Sequence, residues 1–127
     1  MCFDIRGAFN HSWWPFILSQ LKNKSCPKNI FKVMQSYFKD RIIIAEAGDE
    51  QIRYKMERGS PQGSVMGPNL WNLIYDDLLQ MEQPLGVDMT CFADDLIITI
   101  EGHNIDVLKC RAGNIINILL RWIQKLK

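Results

Sequence analysis

No run of apolar residues in this chain approaches the ~20 that a helix needs to cross a bilayer. Nothing at its start reads as a signal peptide either, because Asp4 follows Met1 after only Cys2 and Phe3. Cysteine is sparse: Cys2, Cys26, Cys91 and Cys110 show no C-x-x-C spacing, and Cys91 and Cys110 lie in apolar segments. That pattern argues against a zinc site or a disulfide framework and for a reducing compartment. Histidine is limited to His11 and His103, each without a partner acid at metal spacing, so both are expected on the surface. Charge of one sign is missing too. A net +1 gives no basic field that would advertise an autonomous nucleic-acid binder. There is no internal repeat and no low-complexity segment. The 127 residues, 47% apolar and 10% aromatic, are enough for one domain, or part of one, with a real core. The expectation is a soluble, intracellular protein.

The feature that stands out is the run Met89-Thr-Cys-Phe-Ala-Asp-Asp-Leu-Ile-Ile-Thr-Ile100, where Asp94 and Asp95 sit between two short apolar runs that read as β-strands. Adjacent carboxylates in a tight turn raise each other's pKa, so a sequence that keeps them is expected to hold a cation, and hard oxygen donors suit Mg²⁺. The alternative is a plain hairpin turn, since Asp is a common turn residue.

Along the chain, Met1 to Ile5 reads as the stub of a strand ending at Gly7. Trp14, Ile17, Leu18 and Leu21 fall at i, i+3, i+4 and i+7, predicting a helix from about Ser12, with Ser12 as N-cap and Pro15 in the first turn. A second helix is predicted over 27–38, with Ile30, Val33, Met34 and Tyr37 on one face. A hairpin follows: β-prone 41–47, a turn at Gly48-Asp49-Glu50, and Ile52, Tyr54 and Met56 alternating with charged residues. Gly59 to Gly67 is a loop. Pro68 opens a helix with a stripe of Leu70, Trp71, Ile74, Leu78 and Met81, which Pro84-Leu85-Gly86 ends. Two strands flank the acidic pair, and a last helix runs over about 105–126 with Leu108, Ala112, Ile115, Leu119, Trp122 and Leu126 in step. The sum is an α+β domain with helices packed on one face of an antiparallel sheet.

Three segments then line up: Asp4-Ile-Arg-Gly-Ala-Phe9, Arg58-Gly-Ser-Pro-Gln-Gly-Ser-Val-Met-Gly-Pro68, and Phe92-Ala-Asp-Asp95. Their order and spacing resemble the palm domain of reverse transcriptases. Trp13-Trp14-Pro15 and Pro68-Asn-Leu-Trp-Asn-Leu-Ile-Tyr-Asp-Asp-Leu-Leu79 look most like the non-LTR (LINE-type) retrotransposon branch. Phe-Ala-Asp-Asp alone is a weak motif; with Ser-Pro-Gln-Gly and Asp-x-x-x-Ala-Phe in order it is specific. The resemblance covers essentially the whole of 1–127.

It implies an RNA-directed DNA polymerase that joins a deoxynucleotide to a primer 3′-hydroxyl on an RNA template. Two Mg²⁺ ions about 4 Å apart (Mn²⁺ is an alternative) would activate the attacking oxygen and steady the leaving pyrophosphate. By resemblance the ligands are Asp4, Asp94 and Asp95, with the carbonyl of Ile5, and Asp94 ranks above Asp95. The amides of Gly7 and Ala8 would meet the triphosphate. Phe9 would lie against the sugar and leave no room for a 2′-hydroxyl, or be an ordinary core aromatic, or both. Gln62 and Gly63 would contact the incoming nucleotide and the template, or serve loop geometry alone. Partners of the whole enzyme would be RNA template, DNA primer and dNTP, with no membrane, in the nucleus or a cytoplasmic ribonucleoprotein.

Cooler readings apply elsewhere. Asp76 and Asp77 are consecutive on a helix, about 100° apart, and cannot chelate one ion; they read as a solvated face. Trp13, Trp14, Trp71 and Trp122 read as core, and Lys125 and Lys127 as favourable helix-end cations. Asn10 stands where the non-LTR enzymes carry a second Asp. Fingers and thumb segments are not recognised, so this chain by itself is expected to be inactive. Two other readings remain: an RNA-dependent RNA polymerase palm, against which Ala93 and Phe9 count, and a catalytically inactive retroelement remnant that only folds or binds.

Overall fold

A computed structural model describes residues 1–5, 7–61 and 63–126. The elements are β1 (Cys2–Asp4), α1 (Ala8–His11), α2 (Trp14–Asn23), α3 (Lys28–Phe38), β2 (Ile42–Ala47), β3 (Glu50–Lys55), α4 (Gly67–Leu79), β4 (Val87–Phe92), β5 (Asp95–Ile100) and α5 (Ile105–Lys125). Antiparallel strands in the order β1-β5-β4 form one sheet, and β2-β3 form a separate ribbon. This is the expected α+β arrangement.

The central sheet has two unlike faces because apolar and polar residues alternate along β5. Leu96 and Ile98 are buried while Asp95, Ile97 and Thr99 are exposed. Onto the buried face comes α4, whose Leu70, Trp71, Ile74, Tyr75 and Leu78 recur at helical spacing and are all buried. From α5 come Ile115, Leu119 and Trp122, while Trp14, Phe16 and Ile17 of α2 extend the same core, α2 packing against α4 and α3. Asn104 caps α5 by accepting the Val107 amide at 2.8 Å. Trp14 stacks on Phe38 of α3 at 5.2 Å between ring centroids. No helix among the described residues is long and apolar enough to cross a membrane.

Three local expectations are corrected. Ser12 is not the N-cap of a helix: α1 ends at His11, so Ser12 falls in the joint, buried, with its hydroxyl donating to the Ala8 carbonyl at 3.4 Å. The cap of α2 is Trp13. On α3 the buried residues are Met34 and Phe38, while Ile30 and Val33 are exposed, because the helix meets α2 over only part of its apolar stripe. Glu50 belongs to β3 and pairs with Ala47, so Gly48 (φ +63°) and Asp49 alone make the turn. The ribbon is exposed on both faces.

Asp76 and Asp77 are not simply a solvated face either. Asp76 pairs with Lys24 of α2. Asp77 accepts a hydrogen bond from Gln20 at 2.8 Å and faces Lys125 at 3.6 Å, clasping α2 and α5 to α4. The helix lies in the middle of the fold, so even its polar edge meets neighbours.

Candidate active site

The antiparallel register of β1 and β5 pairs Asp4 with Asp95 directly, and β4 pairs Phe92 with Asp95. Cross-strand partners share a face. This is the open face, on which Cys2, Asp4, Thr90, Phe92, Asp95, Ile97 and Thr99 are all exposed. Asp94 occupies the second place of the two-residue turn that joins β4 to β5, outside the ladder, and is half-buried. The first place belongs to Ala93, with φ +52°. A positive φ at the first central residue alone is the type II′ pattern, which glycine normally fills. The acids come together at one end of one sheet, two facing each other and one in the turn.

Behind the turn stands α4. Trp71 Nε1 donates to the Ala93 carbonyl at 2.9 Å, and the Tyr75 hydroxyl donates to the Asp94 carbonyl at 2.7 Å. The same Asp94 carbonyl accepts the Ile5 amide at 3.3 Å. Burial, reinforced by the negative charge of Asp94, Asp95 and Asp4, pushes the Tyr75 phenol well above its ordinary pKa, so it stays protonated and donating. All three carboxylates thus act on one hydroxyl. Burial also pushes the Cys91 thiol up to about 11.

The glycine-rich loop is fastened to the segment after Asp4. The Gly59 amide donates to the Ser12 carbonyl and the Ser60 amide to the Phe9 carbonyl, both at 2.8 Å. Trp14 Nε1 returns a bond to the Gly59 carbonyl at 2.8 Å. At Gly59 (φ +93°) a Cβ would stand 3.2 Å from the Asn10 carbonyl oxygen, so both backbone conformation and space require glycine. The ring of Phe9 is half-buried and tilted against Trp71 at 6.4 Å. Further along, the Ser64 amide donates to Pro61 at 3.2 Å, closing a turn with Gly63 (φ +77°) in its third place.

The other anticipated residues divide. Ala8 is buried and its amide already donates to the Ile5 carbonyl at 3.1 Å, so it has no hydrogen to offer a triphosphate. That carbonyl keeps one lone pair. Gly7 is exposed at φ +69° and starts α1. Gln62 lies outside the described residues. His11 and His103 are exposed, as anticipated.

The profile of the family described as "Reverse transcriptase (RNA-dependent DNA polymerase)" matches residues 1–127. The chain belongs to the reverse transcriptase family. It is 32% identical over 94% of its length to the 115 kDa protein in type-1 retrotransposable element R1DM of Drosophila melanogaster, covering 11% of that protein. It is 30% identical over 94% of its length to the Pol polyprotein from type-1 retrotransposable element R1 of Bradysia coprophila, covering 12%. To the RNA-directed DNA polymerase from mobile element jockey of Drosophila funebris it is 30% identical over 76% of its length, covering 11%. This reverse transcriptase segment therefore spans about a tenth of those relatives' length. No solved structure matches it significantly.

In this reverse transcriptase segment the donor chemistry suits a hard divalent cation: solvent-facing carboxylates at the end of a sheet with a backbone carbonyl close by. Its geometry is less closed than three converging ligands. Among the described residues no three Asp, Glu, His or Cys side chains form a group that could hold an ion. The physical reason is topological, since Asp4 and Asp95 share a ladder face while Asp94 belongs to the turn. Two residues that sequence reasoning passed over, Trp71 and Tyr75, touch this site. Trp71 reads as core, where it does lie, and the sequence alone gives Tyr75 no role. Their spacing of four on a helix, with a polar atom on each ring, was the available signal.

Proposed function

We propose that residues 1–127 form the palm of an RNA-directed DNA polymerase, joining deoxynucleotides to a DNA primer on an RNA template. The observation that carries the reading is the pairing of Asp4 with Asp95 across β1 and β5, with Asp94 in the adjoining turn. Acids 91 positions apart in sequence thereby meet at one exposed sheet end, which folding alone does not call for and like-charge repulsion opposes.

Asp4, Asp94 and Asp95 would hold divalent ions, Mg²⁺ by preference. When bound, such ions supply positive charge that favours a deprotonated primer hydroxyl and a leaving pyrophosphate. The chain's own residues do the rest. The open sheet face presents Phe92, Thr90 and Ile97 beside the acids, a surface on which a primer end would lie. Phe9, propped by Trp71, presents a flat ring where a sugar would rest. The Gly7 amide would meet a phosphate oxygen, whereas the Ala8 amide already donates to the Ile5 carbonyl. The exposed Gly63 would let backbone approach a nucleotide closely, and Gln62 is assigned to the same role by resemblance. Template, primer and dNTP are accordingly the proposed partners.

Primer extension by the element protein that carries this segment tests the reading. On an RNA template with Mg²⁺ and deoxynucleotides, the wild type should extend the primer and Asp94→Asn should not. Phe9→Val should gain use of ribonucleotides. Extension by Asp94→Asn at the wild-type rate would remove the acids from the chemistry. A wild type that binds Mn²⁺ yet never extends would favour the remnant.

A further inference from the structure

We infer that Trp71 and Tyr75 are positioning residues for the acidic turn: two side-chain donors one helical turn apart that fix the carbonyls of Ala93 and Asp94, and with them the place of the Asp94 carboxylate. The inference deepens the polymerase reading and rests on it.

Both rings are 2% exposed, so a core role alone would account for their burial. It does not account for their polar ends. Phenylalanine would fill the Tyr75 position as well, and the two donors land instead on consecutive carbonyls of one two-residue turn, at 2.9 and 2.7 Å. That turn needs holding. Ala93 sits at φ +52°, where a residue with a Cβ is rarely found. The Asp94 carbonyl has a second task, because it also accepts the Ile5 amide. One oxygen therefore ties the strand carrying Asp4 to the turn carrying Asp94, and Tyr75 holds that oxygen from the core side. The holders are themselves braced. Tyr75 packs edge-on to Trp71 at 5.1 Å and stacks on Trp122 of α5 at 6.0 Å with the planes 6° apart. Trp71 also meets Phe9, so one indole borders both the acidic turn and the ring assigned to the sugar.

Outer partners that orient ligands typically change metal affinity 10–100-fold when removed. The test uses the 127-residue chain and Mn²⁺, with free ion counted by electron paramagnetic resonance. Tyr75→Phe keeps the ring and loses the donor, and should bind Mn²⁺ about 10-fold more weakly while circular dichroism shows it folded at the assay temperature. Asp94→Asn should lose at least as much, and adding Tyr75→Phe to it should cost nothing further. A Tyr75→Phe protein with a lower melting temperature and unchanged Mn²⁺ affinity would overturn the inference and leave the polymerase reading standing. A wild type that binds no Mn²⁺ would overturn both. Should Tyr75→Phe fail to fold, the wild type decides. Saturating Mg²⁺ should shift the Trp71 indole N–H resonance, assigned by Trp71→Phe, and leave that of Trp13 in place; no shift at Trp71 would overturn the inference.

Discussion

Replacing Gly59 by alanine strikes the seam between two sequence blocks that lie 50 residues apart. Gly59 has φ +93°, and an added Cβ would stand 3.2 Å from the Asn10 carbonyl oxygen, a backbone atom that cannot swing away. Holding an L-residue there costs roughly 1–2 kcal/mol. Shifting the loop to relieve the contact loosens the Gly59-to-Ser12 and Trp14-to-Gly59 bonds, both 2.8 Å and each worth about 1 kcal/mol. The conformational cost together with partial loss of those two bonds predicts a loss of about 2–3 kcal/mol, or roughly 8–12 °C in melting temperature for a domain of this size. Gly63 supplies the control. Its φ is +77° but nothing lies within 4 Å of its Cβ position, so Gly63→Ala should cost only the conformational part, about 1–2 kcal/mol. Urea unfolding followed by circular dichroism measures both. A loss at Gly59 below about 1 kcal/mol, or no greater than at Gly63, would refute the argument that this seam is held by backbone fit.

Like charges opposed across a ladder destabilise it by about 0.2–1 kcal/mol, so in chelator Asp95→Asn should melt slightly higher than wild type because Asp4 faces it. The same variant should lose divalent-ion binding, and a lower melting point in chelator would contradict this. The Lys24 hydrogen bond holds the Asp76 carboxyl below its ordinary pKa of 3.8. The associated stability is complete above that ordinary value and is lost as pH falls through the lowered one. At this exposed site it amounts to at most about 0.5 kcal/mol, so Asp76→Asn should flatten the acid limb only slightly in a pH series of urea midpoints. Cys91, with its thiol pushed up to about 11, should be alkylated by iodoacetamide at pH 8 well after the exposed Cys2 and Cys110. Mass-spectrometric site counting checks that order, and early labelling of Cys91 would show that the sheet edge opens.

Periodicity made the elements legible. The stripe from Leu70 to Leu78, the two short apolar runs flanking Asp94-Asp95 and the stripe through Ile115, Leu119 and Trp122 are local patterns, and each became the helix or strand it promised. Motif order made the family legible, because Asp4, the glycine-rich loop and the acidic pair keep their spacing whatever the fold does with them. Capping at Ser12, the exposed side of α3 and the naked ribbon β2-β3 were not legible, since each depends on which neighbour arrives. Nor did helical spacing tell that Asp77 would meet Gln20 and Lys125, or that Trp71 and Tyr75 would reach past the core to a turn about 20 residues downstream. By itself, then, the amino-acid order determined which chemistry is present: hard acids, flexible glycines and a ring next to them. The tertiary structure alone decided the pairing of Asp4 with Asp95 rather than Asp94, and the grip of α4 on Ala93 and Asp94. Register and side-chain reach across packed elements arise only when β1, β5 and α4 meet, and no local pattern encodes them.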